Sequence, residues 1–284
     1  MISNKLPKTC DQYVEEFEKA EKQPIITKII TKSHLYYTGV DLGTAYIVLV
    51  VLDENRNIVA GAHRSANVIK DGMIVDYIGA IRIVRELKES LERQLQTELL
   101  YAAAALPPGT DLLDGGVIKN VVQGAGFELT ALLDEPTAAN TIVGLKDGAI
   151  VDIGGGTTGI SILKDGEVVK TVDEATGGTH FTLVISGAYH LTFEEADAYK
   201  RDNNNHKELN SVLKPVVEKI ASIINNSIAG YDVDIIYLVG GTSCLTGIEA
   251  IIEKETGIRT VKPKNPMFVT PIGIAMNCSQ EIMY

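Results

Sequence analysis

The chain has 284 residues, 45% of them hydrophobic and 22% charged, with a formal net charge of −11. That length accommodates one large domain or two lobes, and the composition excludes a fibrous or disordered chain. The acidic balance argues against polyanionic partners such as nucleic acid, though not against a local pocket for one phosphate group.

Cys10, Cys244 and Cys278 are widely separated and form no C-x-x-C pair, which fits a reducing, cytoplasmic setting; the five histidines are too dispersed to suggest a metal cluster. Asp and Glu crowd the N-terminal segment, and no run reaches the about 18 apolar residues of a membrane span, so neither export nor insertion is expected.

The spacing of Tyr13, Val14 and Phe17 predicts a helix over 10–22, ended by Pro24 and placed to pack across the fold that follows. From Tyr36 the segment YYTGVD reads as a buried strand, followed by the β-branched run YIVLVVLD, a turn at 54–57 and the strand IVAGAH. Ile83, Leu87, Leu91, Leu95 and Leu99 predict a helix over 79–100. A strand YAAAAL, a Pro-Pro-Gly loop, a helix over about 115–125, the strand LTALLD and a helix opening at Pro136 complete the first half.

At Ala149 the opening repeats. AIVDIGGGTTGISILKDGEVVK has the grammar of YTGVDLGTAYIVLVVLDENRNIVA: a strand ending Val-Asp-[Leu/Ile]-Gly, a second strand, then a polar turn into a third. The long separation makes the repeat unit a lobe. The chain divides into a helical extension at 1–35, lobe I at 36–148 and lobe II at 149–284. In lobe II the pattern predicts a polar helix over 193–201, a loop over 202–205, a helix over about 213–229, the strand DIIYLVGG and a helix over 248–255.

Asp41-Leu42-Gly43-Thr44 sets a carboxylate at a strand end beside a tight turn, which is also an ordinary hairpin signal. Gly154, Gly155 and Gly156, followed by Thr157 and Thr158, permit closer backbone approach to phosphate oxygens than a plain turn requires. Further glycine turns occur at 176–179 and at Gly240-Gly241. There is no G-x-x-x-x-G-K-[ST], and GGGTTG leads into the β-branched run ISIL rather than a helix, which sets aside the two commonest nucleotide motifs. A phosphate gripped between two hairpins, with two strand-end carboxylates facing hydrated Mg²⁺, is the physical alternative.

VDLGTAY, LLDEPTAAN, VDIGGGTTGISIL, YLVGGTSCL and VTPIGIAMN resemble, in order, the phosphate-1, connect-1, phosphate-2, adenosine and connect-2 motifs of the actin/Hsp70/sugar-kinase superfamily. The resemblance spans residues 39–277. Within it, KDGMIVDYIGA, the LPPGT loop, DEATGGTH and EEADAYKR are most similar to a chaperone-like family of ethanolamine utilisation, with bacterial actin-like and pilus-assembly proteins next.

This resemblance implies an α/β fold of duplicated actin/Hsp70-like ATPase type, built from two ribonuclease H-like lobes, with ATP and Mg²⁺ as ligands. By the same resemblance Asp41 and Asp152 hold Mg²⁺ through water, and Glu135 and Asp152 orient the attacking water. Gly43, Thr44, Ala45, Gly154, Gly155, Gly156 and Thr157 contact phosphate, and Gly178 contacts ribose or phosphate. Asp197 and Lys200 hold the nucleoside, while Gly240 and Gly241 admit adenine. Local readings stay open: Glu135 also suits a helix N-terminus, and Asp197 with Lys200 suits an exposed (i, i+3) ion pair.

The implied partners are enzymes of ethanolamine catabolism or shell proteins of a bacterial microcompartment, met in the cytoplasm. Three departures temper the enzymatic reading. Cys244 stands where Hsp70 proteins place an adenine-stacking Arg, a contact worth ~0.5–2 kcal/mol; Met267 replaces an acid; and the first-lobe catalytic lysine has no counterpart. They favour, as an alternative, a nucleotide-binding actin-like scaffold or filament protein with little ATPase activity. A sugar or acetate kinase is a weaker third. With no separate client domain, a client is expected to touch the lobes, at the helix after KDGMIVDY or at 189–206.

Overall fold

Each lobe grows from a strand that ends in an aspartate and a glycine turn. A computed structural model describes residues 8–25, 35–70, 73–109 and 112–281. Residues 1–7 and 26–34 of the N-terminal extension, Asp71 and Gly72 of KDGMIVDY, and Thr110 of the LPPGT loop lie outside the described residues.

The first set of elements is α1 (Cys10–Lys22), β1 (Tyr37–Leu42), β2 (Tyr46–Leu52), β3 (Ile58–Ser65), the short β4 (Ile69–Lys70) and β5 (Met73–Ile74), α2 (Tyr77–Leu95), β6 (Tyr101–Leu106), α3 (Leu112–Gly124), β7 (Glu128–Asp134) and α4 (Glu135–Val143). The second is β8 (Gly148–Ile153), β9 (Thr158–Lys164), β10 (Glu167–Glu174), α5 (Gly178–Tyr189), α6 (Phe193–Arg201), α7 (His206–Ile228), β11 (Ile235–Val239), α8 (Ile248–Thr256), β12 (Arg259–Val261) and α9 (Val269–Met276).

The two five-stranded sheets share one topology, β3-β2-β1-β6-β7 and β10-β9-β8-β11-β12. In each, three antiparallel strands are joined to two parallel ones. This is the duplicated α/β, ribonuclease H-like arrangement that the repeat implies.

Strand alternation distributes the apolar residues among three cores. On β2, Ile47, Leu49 and Val51 face α2 and α3, while Val48, Val50 and Leu52 face a central layer. On β8, Ala149, Val151 and Ile153 face the outer helices of lobe II, and Ile150 faces the same central layer. That layer holds α1, α4 and α9 between the sheets.

Several elements differ from the sequence expectation. The α2 helix stops at Leu95, because Gln96 turns left-handed at φ 52° and the Glu92 side chain accepts from Leu99 N at 2.9 Å. The α7 helix begins at His206 and carries Pro215 in its interior. Residues 203–205 form a 3₁₀ turn where a loop is expected. The glycine turn at 176–179 opens directly into α5, and α9 is a helix that periodicity misses because Val269 to Ala275 are buried on every side.

The α9 helix follows lobe II in the chain but packs on β1 and α4 at backbone distance. A Cβ at Gly39 would lie 2.5 Å from Ala275 N, and one at Gly273 would lie 1.8 Å from Ala138 O. Small residues at this crossing bring the two helices between the lobes together. Gly273→Ala is therefore expected to cost about 3 kcal/mol or more in urea unfolding, since backbone must move. Gly116→Ala, in α3 with nothing within 4 Å of the added carbon, is the control and is expected to gain up to ~1 kcal/mol. Equal effects at both sites would contradict this packing.

Candidate functional site

Asp41 and Asp152 occupy equivalent places on β1 and β8, near the C-terminal end of the central strand of each sheet. The turns that follow them face each other. A Cβ at Gly155 would lie 3.1 Å from Ala45 Cβ and 3.2 Å from Ala45 N, so the hairpin loops of the two lobes are in contact.

Glu135 is the first residue of α4, whose N-terminus is capped by the Asp134 side chain accepting from Thr137 N at 2.9 Å. The strand β7 ends at this cap, which aims the carboxylate into the gap between the sheets.

Asp41, Gly43, Thr44, Ala45, Glu135, Asp152, Gly154, Gly155, Gly156, Thr157, Gly240 and Gly241 all line one cavity of about 100 Å³. Its carbonyls are largely spent. Gly154 O accepts from Gly178 N at 2.9 Å and Thr242 Oγ1 at 2.7 Å, and Gly155 O accepts from Thr179 N at 2.7 Å. The N–H groups of Gly155 and Gly156 meet no acceptor among the described residues, leaving donors for an anion. Gly240 adopts φ +87°, and a Cβ there would come within 2.2 Å of Asp152 Oδ1, so only glycine fits beside this carboxylate.

Gly178, Asp197 and Lys200 do not line the cavity. They form an adjoining cluster in which Lys200 Nζ pairs with Asp197 Oδ1 at 2.8 Å and donates to Thr182 Oγ1 at 2.6 Å and Gly178 O at 3.0 Å. The lysine ammonium is thus saturated by three internal partners and holds α6 against the start of α5. At the Cys244 position, burial pushes the thiol up, and Sγ donates to Asn265 Oδ1 at 3.5 Å. A cation reaches the cavity rim from elsewhere, for the Arg201 guanidinium lies 4.6 Å from the ring of Tyr46 across the lobes.

Two further residues escaped sequence reasoning. Thr270, inside the VTPIGIAMN segment, donates Oγ1 to Asp152 Oδ2 at 2.8 Å and is itself buried. Asp173, within DEATGGTH, hydrogen-bonds the Thr157 side chain and adds negative charge near Asp152 and Glu135. Both lie on segments already marked by their motifs; their roles depend on contacts between distant parts of the chain.

No lysine or arginine lines the cavity. Burial, then repulsion from Asp152, pushes Asp41 up to about 7. Burial raises Asp152 to about 6, with the Thr270 hydrogen bond opposing and Asp173 adding to the rise. Glu135 is raised well above the usual range by burial and then by Asp152 and Asp41. Such a set is short of positive charge. Its donors are hard oxygens, and no three His, Cys, Asp or Glu among the described residues converge for direct ligation of one ion. One or two carboxylates with retained waters is the Mg²⁺ pattern, with Asp41 and Asp152 the residues able to hold it.

Duplicated lobes of this topology, meeting at a cleft of glycine turns and carboxylates, define an actin/Hsp70-like protein. Residues 48–196 match the MreB/Mbl protein family model and residues 137–271 that of the type IV pilus assembly protein PilM. The ethanolamine utilization protein EutJ of Salmonella typhimurium is 40% identical over 240 residues, covering 84% of each chain. The crystal structure of EutJ from Carboxydothermus hydrogenoformans superposes with a TM-score of 0.86 at 46% identity, covering 94% of this chain and 97% of that one. The chain belongs to the ethanolamine utilization protein EutJ family. MreB5 of Spiroplasma citri bound to ADP shares the fold, with a TM-score of 0.68, 18% identity and coverage of 85% and 95%. No helix among the described residues is long and apolar enough to cross a membrane.

A raised carboxyl means that the folded state keeps a proton the unfolded chain has released. For Asp41 that stabilisation is complete below 3.8 and is lost as pH rises through about 7. Asp41→Asn is therefore expected to melt several degrees above the ligand-free wild type at pH 8, at ~2–4 °C per kcal/mol. The difference should shrink as pH falls toward 4. A variant that melts lower at every pH would contradict the electrostatic account.

Proposed function

We propose that the protein binds Mg·ATP between its lobes and acts as a chaperone-like assembly factor of ethanolamine catabolism. Its clients are then ethanolamine-utilisation enzymes or microcompartment proteins, met in the cytoplasm. Family membership supports the pathway, and the ADP-bound fold relative supports the ligand class. The observation that carries the reading is the trio of Asp41, Glu135 and Asp152, mutually raised and unpaired, opposite the free amides of Gly155 and Gly156.

When bound, Mg²⁺ supplies charge neutralisation for both the carboxylates and a nucleotide's phosphates. Asp41 and Asp152 hold it through water. Thr270 fixes the Asp152 carboxylate, and Glu135, at the N-terminus of α4, orients a water and accepts its proton. The two hairpin turns donate N–H groups to the phosphate oxygens. A cavity of about 100 Å³ is far below the ~300 Å³ at the small end of ligand sites. Nucleotide entry thus requires the lobes to part, and that motion is what couples nucleotide to a client.

Saturation of Lys200 by internal partners and the absence of any lysine from the cavity wall favour slow turnover. They keep alive the second reading, a nucleotide-binding actin-like scaffold or filament with little ATPase activity. Nucleotide-dependent sedimentation of the purified protein would favour it.

Calorimetric titration with Mg·ATP is expected to show binding to the wild type and at least tenfold weaker binding to Asp152→Ala. Glu135→Ala should retain binding while any hydrolysis falls by about a hundredfold. No heat of binding to the wild type would overturn the ATP assignment. Hydrolysis unchanged in Glu135→Ala would overturn the hydrolytic role alone.

A further inference from the structure

The α1 helix touches both lobes, and the two attachments are unlike in kind. Its N-terminus is fixed by a capping box between Thr9 and Gln12, and Cys10, Val14, Phe17 and Ala20 form its buried face. Toward lobe I, Phe17 seats on β3, where a Cβ at Gly61 would lie 2.2 Å from the ring. Glu21 pairs with His63 of the same strand, and Ile25 N donates to Val59 O at 2.8 Å. This side is largely apolar and closed to water.

Toward lobe II the contacts are polar. Lys264 N donates to Asp11 Oδ1 at 2.9 Å, Lys264 Nζ to Glu15 Oε1 at 2.6 Å, and Asn265 Nδ2 to Glu18 Oε1 at 2.8 Å. The Lys264 and Glu15 side chains are 71% and 42% exposed, so solvent and salt compete with them. Lys264 and Asn265 lie on the segment 262–268, tied to lobe II by Gly240 N donating to Pro266 O at 3.1 Å and by Lys262 Nζ donating to Ser243 O and Leu245 O.

That segment reaches the cavity. Asn265, held by Glu18 through its amide nitrogen, accepts with Oδ1 from Met267 N at 3.3 Å, and Met267 lines the wall beside Gly241. The Phe268 ring sits 4.5 Å from the Phe17 ring. One helix therefore spans from the β3 edge of lobe I to the loop that closes the Gly240–Met267 side of the cleft, and the lobes cannot separate on that side while both attachments hold.

We propose that α1 is a clasp, anchored permanently to lobe I and releasable from lobe II at Lys264 and Asn265, whose release frees the Gly240–Met267 side of the cleft to open. Because the lobe II attachment is exposed and charged while the lobe I attachment is apolar, the first breaks and the second persists. The consequence for nucleotide exchange rests on the Mg·ATP reading above; the clasp itself does not.

Hydrogen exchange on the full chain without nucleotide tests it, using Lys264→Glu, Glu15→Lys and the double exchange of charges. Lys264→Glu is expected to quicken exchange about two- to fivefold in 262–268 and around Gly240, the range for losing an exposed ion pair. Amides of α1 should stay as protected as in the wild type, and the charge-swapped double variant should recover most of the loss. Unchanged exchange in 262–268, equal loss of protection in α1, or no recovery in the double variant would each overturn the clasp. With Mg·ADP as probe, Lys264→Glu should release nucleotide two- to fivefold faster. A wild type that binds no ADP would overturn the nucleotide reading and leave the clasp to be decided by the exchange data.

Discussion

Asp41, Glu135 and Asp152 repel one another in a cleft with no cation on its wall, and most of the molecule is arranged to keep them there. Two of the carboxylates stand at the ends of central strands, held by ladders on both sides. The third opens a helix packed between the sheets. Backbone contact at Gly39 and Gly273 locks α9 against β1 and α4, so the carboxylates cannot drift apart to relieve the repulsion without disrupting the central core. Raised proton affinity is the remaining relief, and a bound divalent cation with a phosphate chain is the one that leaves the site charged and usable.

The duplication is not symmetric in detail. Asp152 is tethered by Thr270 and closely faced by Gly240, whereas Asp41 has no comparable side-chain hydrogen bond among the described residues. The Gly154 and Gly155 carbonyls are tied to the start of α5 and to Thr242, which stiffens the lobe II loop. The more rigid half thus lies in lobe II, and Thr270 joins its carboxylate to the first turn of α9, a helix that packs on lobe I. Movement of the lobes is mechanically linked to the position of Asp152.

Much of this was legible in the residues. The repeated Val-Asp-[Leu/Ile]-Gly grammar located both hairpins and both strand-end carboxylates, because strand ends and glycine turns are local features. The α9 helix was not legible: it is short, interrupted by Pro271 and Gly273, and buried all round, so no amphipathic period marks it. The same holds for α5, whose first residues read as a glycine loop. Contacts that join distant segments were out of reach for another reason. Thr270 with Asp152, Arg201 with Tyr46, and Lys264 with Glu15 each pair residues that nothing in the local pattern connects. The face that α1 would bury was visible in Val14 and Phe17, but the lobe on which each flank would rest was not.

The central claim is that the carboxylates and the amide loops form one site, completed only when cation and phosphate arrive together. Its most direct test is the melting temperature of the wild type at pH 8 with ADP and a chelator, with Mg²⁺ alone, and with both. A ligand that binds only the folded state raises the transition in proportion to its affinity. The account predicts that the combined shift clearly exceeds the sum of the separate ones. A shift with ADP that is the same in chelator as in Mg²⁺, or no shift under any condition, would contradict it.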